Sequence, residues 1–310
     1  MDRRDFIKSS ALATAALMLD WEEAFALGAK APEAGKAWKG WKKGHFQVHF
    51  IYTGVGESMF MIFPDGTTML LDCGDHNAIG RGKLAVPVLP SPDRHSGEWI
   101  ARYVQRVNPN HDKVDYMMLS HYHNDHGGCS RFYASKVMRD GVEYPLSGFA
   151  QAAEWLSFGK AFDRCWPDYD DPIPLIEKSA DNVTQMKMFY GYMSRNRGLE
   201  IEKFQVGATD QVKMLHNPGK YSGFSVRNIC ANGRIAGKDT QDLVGGVTLA
   251  RGQQGLGRQI LSLALQVAAG RRVIDDRLCG IDCLLELAAV VSGTHHAGTG
   301  RLTILRDRGV

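Results

Sequence analysis

Residues 121–126 read His-Tyr-His-Asn-Asp-His, which places three imidazoles and a carboxylate within six positions. His121 and His123 directly follow the apolar run Val114-Asp-Tyr-Met-Met-Leu-Ser120, which reads as a buried strand. In an extended chain side chains alternate, so both imidazoles point to one side. Asp125 and His126 fall in the turn that comes next, and Gly127 and Gly128 remove side chains that would obstruct the turn or the approach of a ligand. Neutral imidazoles and a carboxylate are the nitrogen and oxygen donors that suit zinc, and they also accept iron or manganese. One such loop would serve two metals, with His121 and His123 on one and Asp125 and His126 on the other. The competing reading is a solvated polar loop that happens to be rich in histidine.

The elements that must position this loop are legible on its N-terminal side. The segment His45–Tyr52 alternates and is rich in aromatic and β-branched residues. Ser58–Phe63 and Thr67–Asp72 are apolar runs separated by Pro64-Asp65-Gly66. Proline presets one dihedral of that turn and glycine takes the left-handed position, so these two runs should form an antiparallel hairpin. Residues 76–97 read as a Gly- and Pro-rich loop. Residues 98–107 carry apolar side chains at 99, 100, 103, 104 and 107, the spacing of a helix with one buried face. Residues 130–215 read as helical stretches alternating with loops, and 157–174, aromatic and acidic with turn residues, as a long surface loop or lid.

These motifs carry a resemblance. The stretch from Val114 to Gly128 resembles the H-x-H-x-D-H motif that comes after a buried strand in metallo-β-lactamase-fold hydrolases. Residues 53–75 resemble the opening of the branch containing the hydrolase domain of DNA-internalisation (competence) proteins. There a G-x-G-[DE]-[SA] turn leads to an apolar strand, a P-D-G turn and an L-[IL]-D-x-G strand end. The likeness covers residues 46 to about 130 well and 205–235 weakly. It implies a four-layer αββα sandwich with metals at one edge, where patterning alone supports only α/β. It also implies that Asp72 holds the ligand loop by hydrogen bonds without itself touching the metal, since an unanchored imidazole loses affinity. A plain turn residue at the strand end is the alternative for Asp72.

A binuclear site needs ligands beyond these four, and the resemblance looks for them downstream. VVSGTHHAGTG resembles the context of the family's late histidine, with His295 ahead of His296 as the ligand and a plain polar loop as the alternative. For the bridging aspartate the chain offers Asp282 after Gly280-Ile281, with Asp275 and Asp276 as competitors, none of them in the family's G-G-D setting. His216, in KMLHNPG, is the histidine available for the middle ligand, though a structural role beside a turn suits it as well. His45 and His49 read as strand residues, solvated or packed, and His76 as a loop residue near the mouth of the site.

The ends of the chain differ from its middle. Residues 1–30 join Arg3-Arg4, a short apolar stretch and Ala24-Phe25-Ala26, and resemble a twin-arginine export signal with a cleavage region after it. Export of an already folded, metal-loaded protein by the twin-arginine machinery to the periplasm would be the consequence. No apolar run is long enough to span a bilayer. Residues 44–243 are expected to form the metallo-β-lactamase-like domain and 244–310 its C-terminal part. After residue 239 the chain contains no Phe, Tyr, Trp, Lys, Met or Pro, where an aromatic content of 9% would place about six aromatics. A biased but native α-rich end and a shifted coding frame both account for this.

The whole-chain composition bounds the chemistry. A net charge of +3 permits an acidic substrate, but with no basic stripe interleaved with aromatics no stable nucleic-acid complex is expected. The six cysteines form no CxxC pair, so neither a zinc ribbon nor a dense disulfide framework is supported. Two zinc ions in the loop would acidify a shared water, with Asp125 helping to orient it, and direct it at a carbonyl or phosphoryl centre. The resemblance favours a phosphodiester. A small carbonyl substrate (lactam, lactone or thioester) is the second reading, and a non-catalytic paralogue lacking the downstream ligands the third.

Overall fold

The computed structural model describes residues 39–53, 56–74, 89–128, 135–169, 181–231, 234–237, 264–269 and 302–306. The chain divides after Gly40, and all of the described strands and helices belong to the second unit, Trp41–Val310. The expected export signal, His76, Asp275, Asp276, Asp282, His295 and His296 lie outside the described residues.

The unit is mixed α/β, built on a seven-stranded sheet. Strands β1 (Phe46–Phe50), β2 (Met59–Ile62) and β3 (Thr68–Leu71) form an antiparallel meander. The β2–β3 turn is the expected one: Gly66 has φ 95°, and the Phe63 and Thr67 backbones close it at 2.7 Å. Beyond β3 the sheet turns parallel, adding β4 (Lys113–Met118), β7 (Ser157–Asp163) and β8 (Glu200–Lys203) in order. Parallel neighbours need crossovers. These contain α1 (Ser96–Val107), then the hairpin β5 (Lys136–Arg139)–β6 (Val142–Pro145) with α3 (Gly148–Ala152), then α4 (Asp181–Arg197). The loop after β4 holds one short helix, α2 (Asn124–Gly127).

Burial explains why these stretches take these forms. In α1, Ile100, Ala101, Val104 and Val107 make the buried stripe, while in α4 Met186, Phe189, Tyr190 and Met193 repeat at helical spacing. In the strands the period is two. Phe46 and Val48, Met59 and Met61, Met69 and Leu71, and Tyr116 and Met118 share one face of the sheet. That face packs on a second, antiparallel sheet of β9 (Phe224–Ala231), β10 (Arg234–Ile235) and β11 (Ala264–Ala269) through Phe224 and Val226. The Phe224 ring lies 5.3 Å from Phe46 and 5.0 Å from Phe63, the offset contact aromatic pairs prefer. On the opposite face His49 of β1 meets Tyr103 of α1, and α1 packs on α3 so closely that a Cβ on Gly97 would lie 2.6 Å from the Gly148 carbonyl.

Two expectations are corrected. Residues 157–163 are not part of a lid but the strand β7, buried between β4 and β8. Phe158, Ala161, Phe162 and Asp163 are buried, while Lys160 reaches Glu200 and Glu202 on β8 at 3.2 and 2.6 Å. In the tail, the described stretches are strands rather than helices. β11 pairs with β9, and β12 (Leu302–Arg306) pairs in parallel with β1 at the sheet edge.

Candidate metal centre

The loop of residues 119–128 leaves the sheet where β3 and β4 end, side by side and parallel, so both strands deliver their C-terminal residues to one edge. From β3 comes Asp72, fully buried and in the left-handed backbone region at φ 58°. That conformation costs a non-glycine residue of order 1 kcal/mol, and the contacts of Asp72 offset it. Its backbone N–H donates to the Met118 carbonyl at 2.9 Å. Its Oδ1 accepts the Ser120 N–H at 2.7 Å, and its Oδ2 accepts the Ser120 hydroxyl at 2.6 Å and His126 Nδ1–H at 2.7 Å.

This network sets the tautomers. With the Ser120 hydroxyl committed to Asp72, His121 Nδ1, 3.1 Å away, donates to Ser120 Oγ. In their neutral forms His121 and His126 therefore both spend Nδ1–H on the protein and turn the Nε2 lone pair to the ligand side. His121 Nε2 then faces His123 Nδ1 at 3.0 Å. Two imidazole nitrogens binding one zinc at ~2.05 Å in tetrahedral geometry stand ~3.3 Å apart, so these two need to separate only slightly. The His121 and His126 rings lie 3.9 Å apart between centroids, and His126 Nε2 is 3.9 Å from Asp125 Oδ2. His121 Nε2 with His123 Nδ1, and His126 Nε2 with Asp125 Oδ2, are thus two neighbouring donor pairs, and imidazole nitrogen and carboxylate oxygen are donor types that suit zinc.

Electrostatics agree for His121. Burial, then the positive charge of His126, His123 and Arg164, drives His121 down to about 2, so it is a neutral donor at any physiological pH. At His126 burial acts downward too, but the Asp72 carboxylate, through charge and hydrogen bond, with Asp125 and Glu57, outweighs it and lifts the group to about 8. Without metal that excess negative charge is balanced by a proton; a cation at Nε2 would replace it.

Glu57 is a member of the cluster that sequence reasoning missed, although it is the acidic residue of the G-x-G-E-S turn. With Asp72 and His126 it forms a group whose ligand atoms all lie within 4.8 Å of one another. Of the Asp72 oxygens, Oδ2 accepts from Ser120 and His126 and Oδ1 from the Ser120 N–H, so the carboxylate holds the His126 ring in place. Glu57 has a carboxylate oxygen without a hydrogen-bond partner 3.9 Å from His126 Nδ1, and burial, against His126 and with Asp72 and Asp125, raises its pKa. The turn is fixed through its backbone: Glu57 N–H donates to the Asp125 carbonyl, Gly74 N–H to the Glu57 carbonyl, and Cys73 N–H to the His126 carbonyl, at 2.7, 2.9 and 2.7 Å. Three loops meet here without room for a side chain, since a Cβ on Gly74 would stand 1.9 Å from the Asp125 oxygen.

The structure thus brings together His121, His123, Asp125, His126 and Asp72. It does not bring His216 to them. That residue donates its backbone N–H to Asp65 Oδ2 at 2.8 Å, and its ring lies 3.4 Å from Asp115, which sits beside Thr68 at the start of β3. This is the far end of the sheet, a strand length of ~13 Å from Asp72. His49 is packed, fully buried against Tyr103. Compared with known proteins, the chain matches no protein-family model and no curated protein.

Proposed function

We propose that the chain is a metal-dependent hydrolase of the metallo-β-lactamase-like kind, with two metal ions, zinc foremost, held by His121, His123, Asp125 and His126. The observation that carries this reading is the approach of two imidazole nitrogens, with His121 Nε2 facing His123 Nδ1 at 3.0 Å while Asp72 and Ser120 occupy the opposite nitrogens of His121 and His126. The two packed sheets with helices on the outer face of the larger suit an αββα sandwich, of which the second helix layer belongs to the proposal. A twin-arginine signal in residues 1–30 and a periplasmic location complete it.

When bound, such ions acidify a water and stabilise negative charge developing on a carbonyl or phosphoryl oxygen. The chain's own residues do the rest. His121 and His123 hold one side of the centre, Asp125 and His126 the other, and Asp72 keeps the His126 ring in its ligating tautomer. Glu57, beside them with a raised pKa, can take or return a proton at its unpartnered oxygen. The substrate class we propose is a phosphodiester, the one favoured by the resemblance of the β1–β3 segment.

The purified chain is expected to carry about two metal ions by elemental analysis and to hydrolyse an activated phosphodiester such as bis(p-nitrophenyl) phosphate. Both should be lost in His121→Ala. A metal-free protein that takes up no zinc would overturn the metal centre. Turnover of a chromogenic lactam but not of the phosphodiester would replace the substrate class.

A further inference from the structure

Tyr122 stands between the two imidazoles, and alternation sends its side chain away from them, into the protein. Its hydroxyl donates to Asp163 Oδ2 at 2.5 Å, a short bond of the charge-assisted kind, and Asp163 is fully buried. Asp163 is itself held from several directions. Its Oδ1 accepts the N–H groups of Cys165 and Trp166 at 2.8 and 2.9 Å, and its carbonyl accepts the Phe204 N–H at 2.8 Å. The acceptor is therefore fixed both to the turn after β7 and to the strand end of β8.

The position of this bond along the chain matters. The backbone ladder between β4 and β7 ends at Met118 opposite Phe162. Asp163 is the next residue on β7, and Tyr122 lies four residues beyond the end of β4. The side-chain bond thus ties the ligand segment to the sheet beyond the point where backbone pairing stops. Since residue 122 is flanked by both imidazoles, any rotation of its backbone swings His121 and His123 apart. A ring pinned at its hydroxyl end and packed near Tyr169 (6.1 Å between centroids) and under the Arg164 guanidinium (5.6 Å) opposes that rotation.

We propose that Tyr122 and Asp163 are positioning residues for the metal pair. Their hydrogen bond presets the spacing of His121 Nε2 and His123 Nδ1, so a metal ion meets two ligands already ordered and does not have to order them itself. The inference rests on the metal reading above and adds Tyr122, an unspecified position of the H-x-H-x-D-H pattern, and Asp163, which lies outside it.

The test is a Co²⁺ titration of the full chain, read by its visible d–d absorption and by competition with a chelator. Tyr122→Phe keeps the ring and removes the hydroxyl. It is expected to weaken Co²⁺ binding about 10- to 100-fold and to shift the absorption band, with far-UV circular dichroism unchanged. Asp163→Asn is the second variant, to be used also if Tyr122→Phe does not fold. The two backbone N–H donors claim its remaining oxygen and Tyr122 meets an amide N–H₂, so the same loss is expected. A lowered melting temperature with Co²⁺ affinity and spectrum unaltered in either folded variant would reduce the pair to ordinary core packing and overturn the inference. A wild-type chain that binds no Co²⁺ would instead overturn the metal centre on which it rests.

Discussion

Asp72 is the residue on which the candidate centre turns. It is a buried carboxylate with three donors aimed at it, all of them from the ligand loop. Removing part of its acceptor capacity should therefore act on the metal before it acts on the fold. Asp72→Asn keeps the shape but offers one oxygen to three donors, so zinc affinity should fall about 10- to 100-fold, as it does when outer hydrogen-bond partners of metal-bound histidines are lost. Competition with a chelator checks this. The same variant has a second readout in metal-free protein. The charge and hydrogen bond of Asp72 lead the effects that lift His126 to about 8 against its burial. Without them the imidazole should titrate lower, which NMR of the ring protons would track. An unmoved His126 titration would mean that Asp125 and Glu57 alone hold it up.

At the scale of elements, β1 and α1 are joined by a histidine that has no part in the metal centre. His49 is fully buried, with Nδ1 3.1 Å from the Tyr103 hydroxyl, and burial lowers its pKa from 6.5 to about 4. In the unfolded chain the same group titrates near 6.5, so above that pH it is neutral in both states and costs nothing. As pH falls, the unfolded chain takes up the proton first. Folding stability should therefore drop between pH 6.5 and about 4, by about 2 kcal/mol at pH 5 and about 3 kcal/mol in full. Urea denaturation at pH 7.5 and pH 5, compared with His49→Gln, isolates this contribution. The glutamine variant can still face Tyr103, and its stability should lose less on acidification. Equal pH dependence in both proteins would contradict the assignment.

Across the whole unit, stability depends on how two sheets pack. The antiparallel meander and the parallel strands present one continuous apolar face, and Phe224 of β9 fills it between Phe46 and Phe63. Phe224→Ala should cost about 3 kcal/mol through lost burial and the cavity left behind. Because the site lies at the strand ends, zinc affinity measured below the melting transition should change less than stability does. Thermal unfolding with and without zinc distinguishes the two effects, and a variant that keeps its stability would show that the sheets pack elsewhere.

The sequence by itself determined what short range can determine. Alternation specified β1, and two apolar runs around the Pro-Asp-Gly turn specified β2 and β3. A 3.6-residue stripe specified α1, and the spacing of His121, His123, Asp125 and His126 put three imidazoles and a carboxylate on one loop after a buried strand. All of these act over a few residues, where backbone geometry alone dictates which side chains can meet. Other features were decided only in three dimensions. Residues 157–163, rich in turn formers and charge, look like a loop until β4 and β8 supply ladders on both sides and Glu200 and Glu202 pair with Lys160. His216 and His126 are alike as letters, but opposite ends of one sheet hold them. Glu57 is brought beside His126 by hydrogen bonds between loops far apart in sequence, and Tyr122 is bound to Asp163, 41 residues away. Such partners are chosen by strand order and packing, and no local pattern in the chain encodes them.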